Sequence, residues 1–269
     1  MMRATFLASL AIDVPIMTGS LLLRGMLAGI FSALLAFGFA RVVGEPPLDL
    51  AIAYEEAGSL PVEVQEPGTA VENHQHLIHD TEVSRTTQAG IGLFTGLAVF
   101  GAGLGGAFAT AFALMRGRVG PSAPITLSVL LAFGGFVVVA LVPAIKYPAT
   151  PPAIGTPETI GFRTCIFLGM MALSIVSAIL AFYCTRLVAE LGYRRLSLPV
   201  GLAAFVLLVV LCFRLMPSVN EVPTTFPYEV LLAFRLASLG TQAVLWLGIG
   251  IAFGFAAKNV LGPLNGNSR

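Results

Sequence analysis

Ile125-Thr-Leu-Ser-Val-Leu-Leu-Ala-Phe-Gly-Gly-Phe-Val-Val-Val-Ala-Leu-Val-Pro-Ala-Ile145 carries no charged side chain. Coiled at 1.5 Å per residue, a run of this length reaches about 30 Å, the thickness of a bilayer's hydrocarbon core. The backbone finds no water there, so its polar groups must bond to one another, and a helix does that within one segment. Five further stretches read the same way: 21–43, 88–115, 164–189, 198–216 and 230–257. The expected fold is therefore an all-α, polytopic integral membrane bundle of six transmembrane helices.

Composition agrees. The chain has 269 residues, of which 57% are hydrophobic and 11% charged, against about 25% charged in soluble domains. Mean hydropathy is +0.89. A formal net charge of +1 gives no reason to expect a nucleic-acid partner; the lipid bilayer is the expected surrounding. Cys165, Cys184 and Cys212 all fall in apolar stretches. An odd count there speaks against a disulfide framework and for small buried hydrophobes.

Residues 1–20 read as an N-terminal leader, interfacial rather than spanning, because Asp13 and Pro15 interrupt its apolar run. Residues 21–269 read as one transmembrane domain. Gly44-Glu-Pro-Pro47 is expected to end the first span, since two successive prolines withhold helix donors. A hydrophilic loop then fills 44–87, and Asp49–Ala57 could form a short amphipathic helix continuing outward. Glycine pairs spaced four apart, Gly25/Gly29, Gly92/Gly96, Gly101/Gly105 and Gly250/Gly254, predict close helix approaches.

The polar loop holds the chain's chemistry. Nine of the 14 acidic residues lie between Glu45 and Glu82, with no Lys or Arg among them. Such a segment draws cations. Within it, Val71-Glu-Asn-His-Gln-His-Leu-Ile-His-Asp-Thr-Glu82 contains His74, His76 and His79, all three histidines of the chain. Neutral imidazoles flanked by Glu72, Asp80 and Glu82 are a candidate ligand set for Co, Ni, Cu or Zn. The plainer reading is a solvated polar linker, because a short His tract is a compositional signal and not a defined site.

Orientation follows from the basic turns. Arg3, Arg116, Arg118, Arg186, Arg194, Arg195, Lys258 and Arg269 fall on one side of a six-span chain. The positive-inside rule makes that side, with both termini, cytoplasmic. The acidic and histidine-bearing loop is then extracytoplasmic. It shares that face with two proline-rich connections, Lys146–Gly155 and Pro217–Pro227. The expected location is the inner or plasma membrane of a bacterium, as a multi-pass protein.

Lys146, Arg163, Arg214 and Arg235 lie near the outer span ends, with Glu158, Glu221 and Glu229 close in sequence. They could form a gate at a pore mouth, or simply anchor helix ends, where charge is inexpensive. Glu221 and Glu229 are carried as pore-mouth candidates. Gln242, the most deeply placed strongly polar residue of the last span, is a third: it could line a path or bond a neighbouring helix. Met26, Met170, Met171 and Met216 are read as packing. The chain lacks a G-x-x-x-x-G-K-[ST] loop, an H-E-x-x-H motif and a G-x-S-x-G motif. No catalytic residue and no bound cofactor is therefore expected.

Arg24–Gly29, Phe39-Ala-Arg-Val-Val-Gly-Glu-Pro46, Lys146-Tyr-Pro-Ala-Thr-Pro-Pro-Ala-Ile-Gly155, Pro217-Ser-Val-Asn-Glu-Val-Pro223 and Phe234-Arg-Leu-Ala-Ser-Leu-Gly-Thr-Gln242 together resemble the CbtA family. The matches occur in order, from Leu21 onward. The resemblance implies a subunit of a cobalt transporter serving cobalamin synthesis. It also implies a separate CbtB-like partner, a small single-span protein with a histidine-bearing tail. Function is accordingly expected to be import of a divalent transition metal, Co²⁺ first, with a homo-oligomer compatible. Two other classes stay open: a non-transporting membrane subunit that binds a partner through its outer loop, and a membrane-embedded enzyme of unknown chemistry.

Overall fold

The computed structural model describes residues 2–59, 84–118, 123–152 and 154–261. Six helices in it are long and apolar enough to cross a membrane: α1 (Gly19–Glu56), α2 (Arg85–Met115), α3 (Pro124–Lys146), α4 (Ile160–Glu190), α5 (Arg194–Leu215) and α6 (Tyr228–Asn259). The backbone upstream of α1 is helical from Met2. No strand occurs among the described residues, so the chain is an all-helical membrane bundle.

The helices do not pack in chain order. Neighbours in space run α2, α1, α6, α3, α4, α5, so the last helix inserts between the first and the third. Small residues make these approaches close, as packing within lipid requires. Gly25 faces Gly105 and Gly29 faces Gly101 across the antiparallel α1–α2 pair, and a Cβ on any of the four would run into the opposite backbone. On α6, Gly248 receives Ser32 of α1, while Gly250 and Gly254 receive Ala132 and Ser128 of α3. The Ser128 hydroxyl donates to the Gly250 carbonyl at 2.7 Å. The expected Gly92/Gly96 approach does not form: Gly96 has open space and Gly92 meets only its own helix.

The main core lies where α1, α2, α3 and α6 meet. Phe253 stacks edge-on against Phe108 and Phe112 of α2, with centroids 5.4 and 5.0 Å apart. Leu245, Trp246 and Ile249 complete it. The indole of Trp246 fits against Gly135, where any Cβ would collide with its six-membered ring. A smaller core near the other end joins Val142, Met170 and Val209 of α3, α4 and α5.

The first span does not stop at Gly44-Glu-Pro-Pro47. One wide turn, Ala40–Gly44, is followed directly by helix from Glu45 to Ser59. In that turn the Glu45 N–H reaches back five residues to the Ala40 carbonyl. A proline ring ordinarily strikes the carbonyl four residues before it. The wide turn shifts those carbonyls aside, so Pro46 and Pro47 continue the helix. The same device recurs in α3, where the wide turn Phe136–Leu141 precedes Pro143. The extension of α1 beyond the wide turn rests on the Pro217–Pro227 connection: Tyr54 packs edge-on to Phe226 and donates to the Thr225 carbonyl at 3.0 Å.

Candidate functional site: a cavity beneath the proline-rich loops

Two groups of span ends gather at opposite poles. At one pole Arg186 donates to the Arg118 carbonyl, and Arg24 to the carbonyl of Ala256. At the other, Lys146 donates to the Phe213 carbonyl at 2.9 Å and Tyr147 to the Pro217 carbonyl at 2.7 Å. The arginine-rich turns thus share one face, and the two proline-rich connections share the other.

Beneath those connections lies a cavity of about 650 Å³. Helix α4 contributes Arg163, Thr164, Phe167 and Met171, a stripe at helical spacing. Helix α6 contributes Arg235, Ser238 and Gln242, again three and four residues apart. Val139 and Ala140, in the wide turn of α3, form a wall, and Phe100 reaches in from α2.

The roof is a network centred on Glu221. Its carboxylate lies 3.4 Å from the Arg163 guanidinium. It accepts from the Thr159 hydroxyl at 2.9 Å and from the Thr156 N–H at 3.2 Å. Gly155 permits this closure: its φ of +104° suits glycine, and a side chain there would meet Arg163 and Glu221. Arg235 donates to the Ala149 carbonyl at 3.2 Å, tying α6 to the roof. Burial raises the Tyr147 phenol above its ordinary pKa, so it stays a neutral donor.

Of the residues singled out from sequence, the structure brings together Glu221 and Gln242, which both line the cavity. Glu229 is exposed on the first turn of α6 and is not among the lining residues. His74, His76, His79, Glu72, Asp80 and Glu82 lie outside the described residues. Among the described residues no group of three His, Cys, Asp or Glu side chains could hold a metal ion. Sequence reading placed Arg163 and Arg235 near span ends but missed them as cavity walls. The signal was present: Arg235, Ser238 and Gln242 form a polar stripe on an otherwise apolar helix. Met170 and Met216 do pack as expected, whereas Met171 lines the cavity.

The acidic segment is anchored at the same pole. Arg85, at the start of α2, bonds Glu45 at 2.5 Å and Asp49 at 2.9 Å on the extension of α1. The later part of α1 and the first turn of α2 are thus held side by side.

No curated protein and no solved structure matches the chain. A family model described as "Probable cobalt transporter subunit (CbtA)" matches residues 18–258, from the start of α1 almost to the end of α6. With that match running through all six spans, the chain belongs to the CbtA family of transporter subunits.

Proposed function

We propose that the chain is the membrane-embedded subunit of a system importing a divalent transition metal, cobalt above others, for cobalamin synthesis. The observation that carries this reading is the shared pole: the ends of the acidic, histidine-bearing segment and the cavity roof lie together. With the arginine-rich turns cytoplasmic, that pole faces outward, and both termini face the cytoplasm of a bacterial cell. Glu72, Asp80 and Glu82 then raise the local cation concentration. His74, His76 and His79 capture the ion, and the cavity receives cargo, with Glu221 and Gln242 at its lining. Three imidazoles suit Co²⁺, Ni²⁺ and Zn²⁺ alike, so cobalt rests on the family and not on the ligands. A separate CbtB-like subunit is the proposed partner.

Cobalt accumulation at limiting metal tests the capture role. Replacing His74, His76 and His79 together by alanine is expected to lower uptake severalfold; unchanged uptake removes the histidines from the mechanism. Proteoliposomes holding a metal-sensitive dye separate this reading from a subunit that only docks a partner. Dye response with the chain alone, or with its small partner added, supports transport. No response in either case supports the docking role.

A further inference from the structure

The cavity's charge is the wrong sign for a bare metal cation. Among the described residues the lining carries two guanidinium groups, Arg163 and Arg235, and one carboxylate, Glu221, a surplus of one positive charge. That carboxylate is already ion-paired with Arg163 and accepts from the Thr159 hydroxyl and the Thr156 N–H. Among the described residues no histidine or cysteine lines the space, whereas a first-row metal site needs several such donors. Size points the same way. An ion with six waters occupies on the order of 200 Å³, at about 30 Å³ per water. The cavity holds roughly three times that, about 650 Å³, a volume typical of organic ligands.

We infer that this cavity binds an organic carboxylate anion and, under the transport reading on which this last step rests, takes its metal as an anionic carboxylate chelate. Arg235 spends one N–H on the Ala149 carbonyl; the guanidinium carries five, in a fork that matches a carboxylate. Ser238 and Gln242 lie on the same face of α6, one and two turns further in; the Gln242 amide can donate to a second carboxylate, and the Ser238 oxygen, whose hydroxyl donates to the Phe234 carbonyl at 2.8 Å, can accept from a ligand hydroxyl. Phe167 and Phe100 supply apolar wall for the carbon skeleton. A chelate of single negative charge, such as one citrate trianion on one Co²⁺, neutralises the cavity's surplus.

The test uses the full chain in nanodiscs, with His74, His76 and His79 replaced by alanine so that the outer segment does not compete. Calorimetric titrations are run with citrate, the one-to-one cobalt–citrate chelate, cobalt chloride and inorganic phosphate. Citrate and the chelate are expected to bind, and cobalt chloride and phosphate to bind at least about tenfold more weakly. Arg235→Gln is expected to weaken chelate binding about tenfold or more, the loss of a charge-assisted hydrogen bond, with Arg235→Lys recovering part of it. Gln242→Leu, which removes no loop anchor, is expected to weaken it severalfold with thermal unfolding unchanged. Wild-type chelate affinity in both Arg235→Gln and Gln242→Leu overturns the inference. So does cobalt chloride binding where citrate does not, or phosphate binding as tightly as citrate. Vesicle uptake of aquo-cobalt without citrate binding would sink this inference and leave transport standing. Citrate binding with no cobalt movement would do the reverse.

Discussion

The guanidinium of Arg85 lies 2.5 Å from the carboxylate of Glu45, which is only 7% exposed although it sits 40 positions earlier in the chain. Asp49 shares the same guanidinium at 2.9 Å. The pair closes the base of the acidic segment by joining the extension of α1 to the first turn of α2. Neutralising Glu45 removes the more buried of the two partners of Arg85 and leaves it paired with the exposed Asp49 alone; Arg85 is itself about a third exposed, so solvent screens part of the loss. Glu45→Gln is therefore expected to cost about 1–2 kcal/mol. The check is thermal unfolding in detergent, together with faster proteolysis of residues 60–83. Unchanged proteolysis would mean that the pair does not gate access to the segment.

Close approach of α1 and α2 makes a sharper prediction. Gly29 and Gly101 meet backbone to backbone, so Gly29→Leu or Gly101→Leu forces the helices apart. Overpacking at one such point costs about 1–3 kcal/mol, and the lost contacts on either side add to it. Gly103, on the same helix, has nothing within reach of a new Cβ. Gly103→Ala is expected to be neutral or to stabilise by about 0.5 kcal/mol through lost chain entropy. Folded yield and thermal stability of the three variants check the contrast.

The six spans were legible because lipid imposes one rule on every segment, and unbroken hydropathy reports it directly. Gly25, Gly29, Gly101 and Gly105 were legible as contact points, but not as partners of one another: spacing within a helix says nothing of which helix faces it. For the same reason the insertion of α6 between α1 and α3 was invisible. The stop at Pro46 failed on a local matter. Proline's clash is with a carbonyl four residues back, and a single wide turn removes that clash without leaving a sequence mark. In the cavity, Glu221 and Gln242 were found because each was odd for its surroundings. Arg163 and Arg235 were set aside as ordinary helix-end charges, which they also are: both bond loop carbonyls. Their second role emerges only once α4 and α6 are seen to face a common space.

Tyr147 links the end of α3 to the end of α5 through its 2.7 Å bond to the Pro217 carbonyl. Burial raises its pKa in the folded state. The folded form therefore favours the protonated phenol. Its contribution to stability is complete below the unfolded value near pH 10 and is lost as pH rises through the higher folded value. Tyr147→Phe is expected to cost about 1 kcal/mol at neutral pH and to flatten the alkaline fall in thermal stability. Equal alkaline slopes in the two proteins would assign that fall to other groups.

Gly155 is where the cavity roof depends most on one residue. Its φ of +104° belongs to a region in which an L side chain costs about 1–2 kcal/mol. A Cβ there would also stand 2.5 Å from the Arg163 Nη1 and 2.7 Å from the Glu221 Oε2. The second penalty reaches the ligand-facing groups, because displacing Glu221 breaks its bonds to Thr156 and Thr159 and frees Arg163. Gly155→Ala is thus expected to lower stability by about 2 kcal/mol or more and to change chelate affinity as well. Glu221→Gln keeps the shape of the acceptor and removes only its charge. It is expected to cost about 1 kcal/mol, since both partners of the ion pair are partly exposed, while making the cavity more positive. These two variants should therefore diverge in binding: Gly155→Ala weakens a carboxylate chelate by loosening the roof, and Glu221→Gln strengthens it through the added positive charge. Gly161→Ala, in the first turn of α4 with open space around it, should leave both readouts unchanged. If Glu221→Gln instead weakens the chelate as much as Gly155→Ala does, the roof acts through its geometry alone and the cavity's charge is not what selects the ligand.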